Sequence, residues 1–334
     1  YLKNQAALLE LALTQWAVHR AVAKGYTPIA TPDLVHPDIM AGCGYQVPCF
    51  FRAFVGVPTY LETDTRESSL QPRGSQTQVY SVSNYPLCLV GTSEIPLMGL
   101  YADQIIDPAL LPIRLVGFGK YGAPLIHTPT PATTNPATSD VQMLPAETGG
   151  TGAASRGLYR LHQFSKVELA VICLPEQSNA IHDELLATEE ELVQELGFSY
   201  RVLDIASEDL GAPAHRKFDI EAWMPGRQAF GEVPIVMVAL HLDRGVMLTQ
   251  HALDDQITSA SNCTDYQTRR LNIRYQQAQN RNIFAHTLNA TACAIPRTIL
   301  TILETYQQPD GSVQVPDVLV PFMGGIKTIG AATK

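Results

Sequence analysis

The chain has 334 residues, of which 46% are hydrophobic and 16% charged, with a formal net charge of −9. This composition can bury one large core or two smaller ones and excludes a disordered tail. No apolar run approaches the roughly 20 residues that span a bilayer, and the negative balance excludes a generally basic nucleic-acid surface. No membrane or DNA partner is expected, and any RNA contact has to be local.

Gln5 to Ala23 carries apolar residues at Leu8, Leu9, Leu11, Ala12, Leu13, Trp16, Ala17, Val18, Ala21 and Val22, which predicts an amphipathic helix stopped near Gly25. Thr27 to Val35 reads as extended, because Pro28 and Pro32 block a helix. Leu87 to Val90 is a short apolar strand, and Gly91-Thr92-Ser93-Glu94 follows it. Those polar residues suit an amino acid's ammonium and hydroxyl groups, and they suit a helix N-cap with an acidic first turn equally well.

Ile113 to Gly117 is a further strand. Gly117-Phe-Gly-Lys-Tyr-Gly122 fits G-x-G-x-x-G, but Ala123-Pro-Leu-Ile-His-Thr-Pro-Thr-Pro131 follows where a dinucleotide site needs a helix, so that reading is rejected. The richest stretch is Ser155 to Glu168. Period-2 alternation puts Leu158, Arg160, His162, Phe164, Lys166 and Glu168 on one face. That face has the chemistry to hold a phosphate at Arg160, a planar base at Phe164 and an ammonium group at Glu168. The alternative is an edge strand with a solvated face.

Ser178 to Leu196 predicts a surface helix capped by Ser178, stopped by Gly197, with its acidic run on a solvated face. Tyr200–Ile205, Phe218–Trp223 and Ile273–Tyr275 read as strands, and Pro296–Tyr306 as a helix opened by proline. Strands and helices do not alternate regularly, which favours an α+β fold with an antiparallel sheet. The six cysteines are scattered without a C-x-x-C pair and are expected to be reduced and packed.

Ser155 to Glu168 resembles the second signature motif of seryl-tRNA synthetases, which are of class II. Other segments are similar in the same order: Gly91-Thr-Ser-Glu-Ile-Pro96, Leu111-Pro-Ile-Arg-Leu-Val116, Phe218 to Pro225, Ser259 to Gln267, Arg269 to Tyr275, His286 to Thr291 and Ala294-Ile-Pro-Arg-Thr298. The resemblance implies a class II antiparallel sheet flanked by helices over residues 1–334, without the family's N-terminal tRNA-binding coiled coil. It implies ATP-dependent activation of L-serine and transfer to the 3′ end of tRNA(Ser), with Mg²⁺ and a homodimer whose interface includes the first helix and strand.

Carried over residue by residue, Thr92, Ser93, Glu94, Glu168, Asn289 and Thr291 would bind serine. Glu147, Arg160, Leu161, Phe164, Glu232, Thr258, Ser259 and Arg297 would bind ATP, with Arg160, Glu147 and Arg297 catalytic and Glu232 on the metal. The match is closer to bacterial and mitochondrial forms, which implies a mitochondrial location, with the cytoplasm as the alternative.

Three departures interrupt the resemblance, at 47–71, 121–145 and 233–256. Two of them begin Val-Pro and end in Gln, as in-frame retained introns would, and genuine loops are the alternative. The third falls where a Phe-Arg-x-Glu element is expected. Glu147 is kept, but the motif arginine is not evident. Removing one such charge typically costs about 10²–10³ in rate, so a catalytically impaired, non-enzymatic binding subunit is the second functional reading.

Overall fold

The computed structural model describes residues 2–45, 47, 79–80, 82, 85–122, 158, 161, 163–230, 257–277 and 281–330. The first half runs α1 (Gln5–Ala23), β1 (Thr27–Ala30), β2 (Leu34–Val35), α2 (Pro37–Gly42), β3 (Cys88–Leu89), α3 (Glu94–Gly99), β4 (Ile105–Ile106), β5 (Ile113–Gly122) and β6 (Gln163–Cys173). Then come α4 (Ser178–Glu195), β7 (Tyr200–Asp204), β8 (Arg216–Met224), β9 (Ala229–Phe230), β10 (Thr258–Thr264), α5 (Tyr266–Leu271), β11 (Arg274–Gln277) and β12 (Arg281–Phe284). The chain closes with β13 (His286–Ala294), α6 (Ile295–Thr305), β14 (Val313–Gln314) and β15 (Thr328–Ile329).

The principal sheet has the order β1-β5-β6-β13-β10-β8-β7, with β9 paired to β8. β1 runs parallel to β5 and the other pairings are antiparallel, so the α+β expectation holds. One face is covered by α1, α4 and α6, whose Leu9, Leu13, Trp16, Leu185, Leu192 and Ile299 pack on Val167, Leu169, Ile220 and Leu288. The other face carries Ile95, Leu97 and Met98 of α3 and Met40 of α2 against Leu115, Ala170 and Ile172. Burying a large aliphatic side chain is worth about 1.5–3 kcal/mol, and this sheet is sandwiched by such side chains on both sides.

The α1 reading is met in its bounds, Gln5–Ala23. Its buried positions Leu9, Ala12, Leu13, Trp16, Ala17 and Ala21 recur at helical spacing, and Gly25 takes φ +88 just past the end. Gly197 likewise takes φ +73 after α4.

Two local expectations for α4 are corrected. Ser178 is the first helical residue rather than the cap: a 3-10 turn at Pro175–Gln177 precedes it, and its hydroxyl donates to the Pro175 carbonyl at 3.0 Å. The acidic run is not wholly solvated, because Glu189 is 0% exposed.

β6 settles the reading of its stretch from Gln163 onward. Val167, Leu169, Val171 and Cys173 alternate onto the helix-covered face, while Glu168, Ala170 and Ile172 share the other, and every one of them is buried. The solvated edge-strand alternative fails, since β6 lies between β5 and β13.

Tyr121 and Gly122, which open the departure at 121–145, pair with Phe164 and Gln163 as strand, and Tyr121 is fully buried. The remainder of the three departures, apart from Val47, lies outside the described residues. The described cysteines Cys43, Cys88, Cys173, Cys263 and Cys293 are free and buried. Among the described residues no helix is long and apolar enough to cross a membrane.

Candidate active site

Three strands meet in register on the face opposite α1. Gly117 of β5 lies across from Glu168 of β6, and Glu168 lies across from Thr291 of β13. Over them sits Thr92-Ser93-Glu94, the entry to α3. The fit depends on Gly117: a Cβ there would stand 2.6 Å from Ser93 Cβ and 2.8 Å from its Oγ. Ser93 stands at the N-cap position with Glu94 in the first turn, as the cap reading expects, but its hydroxyl makes no side-chain capping bond.

Glu94 is buried, and its Oε1 accepts from Gln267 Nε2 at 2.5 Å and from Asn289 Nδ2 at 2.7 Å. Gln267 in turn accepts at Oε1 from the Thr287 hydroxyl at 2.7 Å. Beside this chain, Glu168 is 2% exposed, forms an ion pair with Lys166, and accepts from the Thr291 hydroxyl at 3.4 Å. The Thr92 hydroxyl is buried with no hydrogen-bond partner among the described residues. Such a group awaits one, because an unpaired buried donor costs about 1–3 kcal/mol.

Burial pushes the Glu94 carboxyl up to about 7, with the Glu168 charge adding to it, while Gln267, Lys166 and Asn289 oppose the rise. Among the described residues, the two carboxyl groups thus share the charge of Lys166, beside the neutral Asn289, Gln267 and Thr291 side chains. That balance favours an incoming ammonium group carried by a small polar molecule.

A second cluster lies further along the same face of the sheet. Ser259 of β10 faces Asp219 of β8 in register. Asp219 pairs with Lys217 at 2.9 Å, and both side chains are nearly buried. Burial raises the Asp219 carboxyl, opposed by Lys217, Ser259 and Arg297. Arg297, in the first turn of α6, therefore stands with this cluster, where cations suit phosphate oxygens.

The structure thus brings Thr92, Ser93, Glu94, Glu168, Asn289 and Thr291 together at one end, and Ser259 and Arg297 at the other. Phe164 is half-buried near the first group, its ring edge-on to Tyr121 with centroids 6.5 Å apart. Leu161 is half-buried just before β6.

Thr258 lies opposite Ile220, on the face shared with Ala260 and covered by α4, so its side chain approaches Glu189 and only its backbone borders the pocket face. Arg160, Glu147 and Glu232 lie outside the described residues.

Sequence reasoning did not single out Lys166, Gln267, Gly117, Lys217 or Asp219 for the site. Lys166 had a legible signal, its place on the Glu168 face. Gln267 had none beyond its inclusion in a matching segment.

β13 also carries a bulge. Thr291 faces Glu168 and Cys293 faces Val167, which leaves Ala292 as an extra residue. Ala292 and Cys293 consequently both enter the helix-side core despite being neighbours in sequence.

Residues 146–306 match the tRNA synthetase class II core domain (G, H, P, S and T). The serine–tRNA ligase of Dictyoglomus thermophilum is 40% identical over 324 residues, 97% of this chain and 60% of that protein. Among solved structures, seryl-tRNA synthetase from Pyrococcus horikoshii complexed with ATP matches with a TM-score of 0.72 and 33% identity, over 98% of this chain and 57% of that one. The cytoplasmic serine–tRNA ligase from Naegleria fowleri in complex with AMP matches with a TM-score of 0.69 and 29% identity, over 98% and 61% of the two chains. The chain therefore spans about three fifths of the length of the relatives it matches. By its sheet, its pocket and these likenesses, the chain has the class II synthetase core fold and is similar, over nearly its whole length, to seryl-tRNA synthetases.

Proposed function

We propose that this chain is the catalytic core of a serine–tRNA ligase. A serine carboxylate oxygen attacks the α-phosphorus of ATP, the bond to pyrophosphate breaks, and seryl-adenylate forms. A ribose hydroxyl at the 3′ end of tRNA(Ser) then attacks the seryl carbonyl, and AMP leaves. Such chemistry needs positioning and cationic charge more than a strong base.

The observation that carries this reading is the arrangement of Glu94 with Asn289 and of Glu168 with Thr291, together with the buried Thr92 hydroxyl two residues before Glu94, which has no partner among the described residues. It offers carboxylates to an ammonium and small polar groups to a hydroxyl. In this reading Arg297 and Ser259 lie towards the nucleotide. The names of the relatives and the ATP and AMP in their solved structures support the same assignment.

Glu232 is proposed as the carboxylate that would hold Mg²⁺, which would supply positive charge against the phosphates and the departing pyrophosphate. Among the described residues no three His, Cys, Asp or Glu side chains gather to hold a metal.

Serine-dependent ATP–pyrophosphate exchange by the purified chain tests the reading. Exchange that needs serine and not threonine or alanine is expected, and its absence would move the chain to the non-enzymatic alternative. A homodimer is proposed as well, supported by Leu8, Leu11 and Val22, which α1 leaves exposed. Light scattering at twice the monomer mass is the expected result. The mitochondrial matrix is the proposed location, supported by the identity to a bacterial relative, and cell fractionation tests it against the cytoplasm.

A further inference from the structure

Glu94 is held by two amides, and they differ in how they are fixed. Asn289 lies on β13 and also stands 3.6 Å from Cys263 Sγ. Gln267 lies on α5, is 1% exposed, and has its other amide atom engaged by Thr287, itself 0% exposed. A side-chain amide has one donating and one accepting end. With a hydroxyl 2.7 Å from one end and a carboxyl oxygen 2.5 Å from the other, only one orientation serves an ionised Glu94: the NH₂ must face the carboxylate and the carbonyl must accept from Thr287. The reversed amide would set a carbonyl oxygen against a carboxylate oxygen. Gln267 is thus arranged to favour the charged form of Glu94.

We propose that Gln267, its amide orientation fixed by Thr287, is a positioning residue that keeps Glu94 charged and aimed at the ammonium or hydroxyl of the amino-acid substrate. The inference rests on the serine-activating reading. Its physical setting extends beyond α3. Glu168 and Lys166 face Glu94 from β6, and Cys43 just past α2, Tyr45 and Cys263 of β10 are near enough for its charge to act on them. Of these only Lys166 is a cation, so the neutral donor from α5 offsets a local excess of negative charge.

The test compares the pH profile of kcat/KM for serine in wild type, Gln267→Met, Thr287→Val and Thr287→Ser. Wild-type kcat/KM for serine is expected to fall off below about pH 7, as Glu94 takes up a proton. Gln267→Met keeps the side-chain length and removes the donor. It is expected to lower kcat/KM for serine at pH 7 about 10- to 100-fold, and to move the acid limb to higher pH. KM for ATP stays within about twofold of wild type. Thr287→Val moves the limb in the same direction and Thr287→Ser restores it.

An acid limb that stays in place, or serine and ATP constants that rise together, overturns the inference. If Gln267→Met fails to fold, the Thr287 pair decides. The midpoint of the Glu94 carboxyl ¹³C resonance, identified by its loss in Glu94→Gln, is the readout independent of activity. If wild type shows no serine-dependent exchange, the ligase reading falls. An upward-shifted midpoint in the Gln267 or Thr287 variants still supports the positioning role, and an unmoved one refutes it.

Discussion

Glu189 is a carboxyl in the wrong-looking place: on α4, fully buried, with neither oxygen hydrogen-bonded among the described residues. Burial pushes it well above the ordinary value of 4.5, and the nearby Glu168 and Asp219 charges add to the rise, while Thr258 and the Thr291 backbone oppose it. A folded-state value raised above the unfolded one contributes stability that is fully present below about pH 4.5 and is lost as pH climbs towards the folded value. Glu189→Gln, neutral and of the same shape, escapes that loss. Its stability advantage over wild type should grow by up to about 1.4 kcal/mol per pH unit above pH 5. Melting temperatures of the two proteins at pH 5 and pH 8 check this, and a gap that is equal at both pH values would refute it. The sequence held a clue, since Ile181, Leu185, Glu189, Leu192 and Val193 share a helical stripe. The acidic run around Glu189 hid it. Glu94, Glu168, Asn289 and Thr291 were legible because each sits inside a segment similar to a known family. Gln267 and Lys217 act through partners on other elements, and no local pattern announces such pairs.

The elements that were easiest to read are those whose own periodicity decides their burial. α1 has a stripe that needs no knowledge of its neighbour, and β6 alternates cleanly across the sheet. β5 is different, because its functional feature is the lack of a side chain. Gly117 was read as part of a glycine-rich loop motif and set aside, yet it is the strand position on which α3 rests. Gly117→Ala should force Ser93 away from the sheet and carry Glu94 with it. Overpacking of this kind costs about 1–3 kcal/mol, and a displacement of about 1 Å at a reacting group costs on the order of 10²-fold in rate. Serine-dependent exchange at saturating ATP should fall by about that factor while the fold persists. Unchanged exchange would mean that α3 does not need this close approach. α5 illustrates the reverse case: six residues, Tyr266–Leu271, with too few turns for a periodic signal, deliver the buried Gln267 to the pocket.

At the scale of the whole molecule, one sheet separates a helix-covered core from the pocket, and polar groups serving the proposed reaction lie along a single face. β9 and β10 both pair with β8, Phe230 opposite Trp223 and Thr258 opposite Ile220. The two attachment points are three residues apart on β8, although residues 231–257 come between them in the chain. Excision of Val233–Gln256 should therefore leave the fold intact. Closure entropy changes by only about 0.6 kcal/mol for each doubling of loop length, so the melting temperature should stay within about 3 °C of the parent or rise. Loss of cooperative unfolding would show that the segment is structurally required. The irregular order of elements bounded the fold class correctly, but it could not place one end of the pocket relative to the other. The join between the two ends runs through Ala292. Because of this extra residue Thr291 stays on the pocket face while Cys293, two positions on, already lies in the helix-side core, so the strand leaves the pocket immediately before the helix that holds Arg297. Deleting Ala292 would leave Cys293 opposite Val167 in an unbroken ladder and would take away only the local bend with which the strand enters that helix, so the aim of the arginine, and not the register of the sheet, is what the extra residue sets.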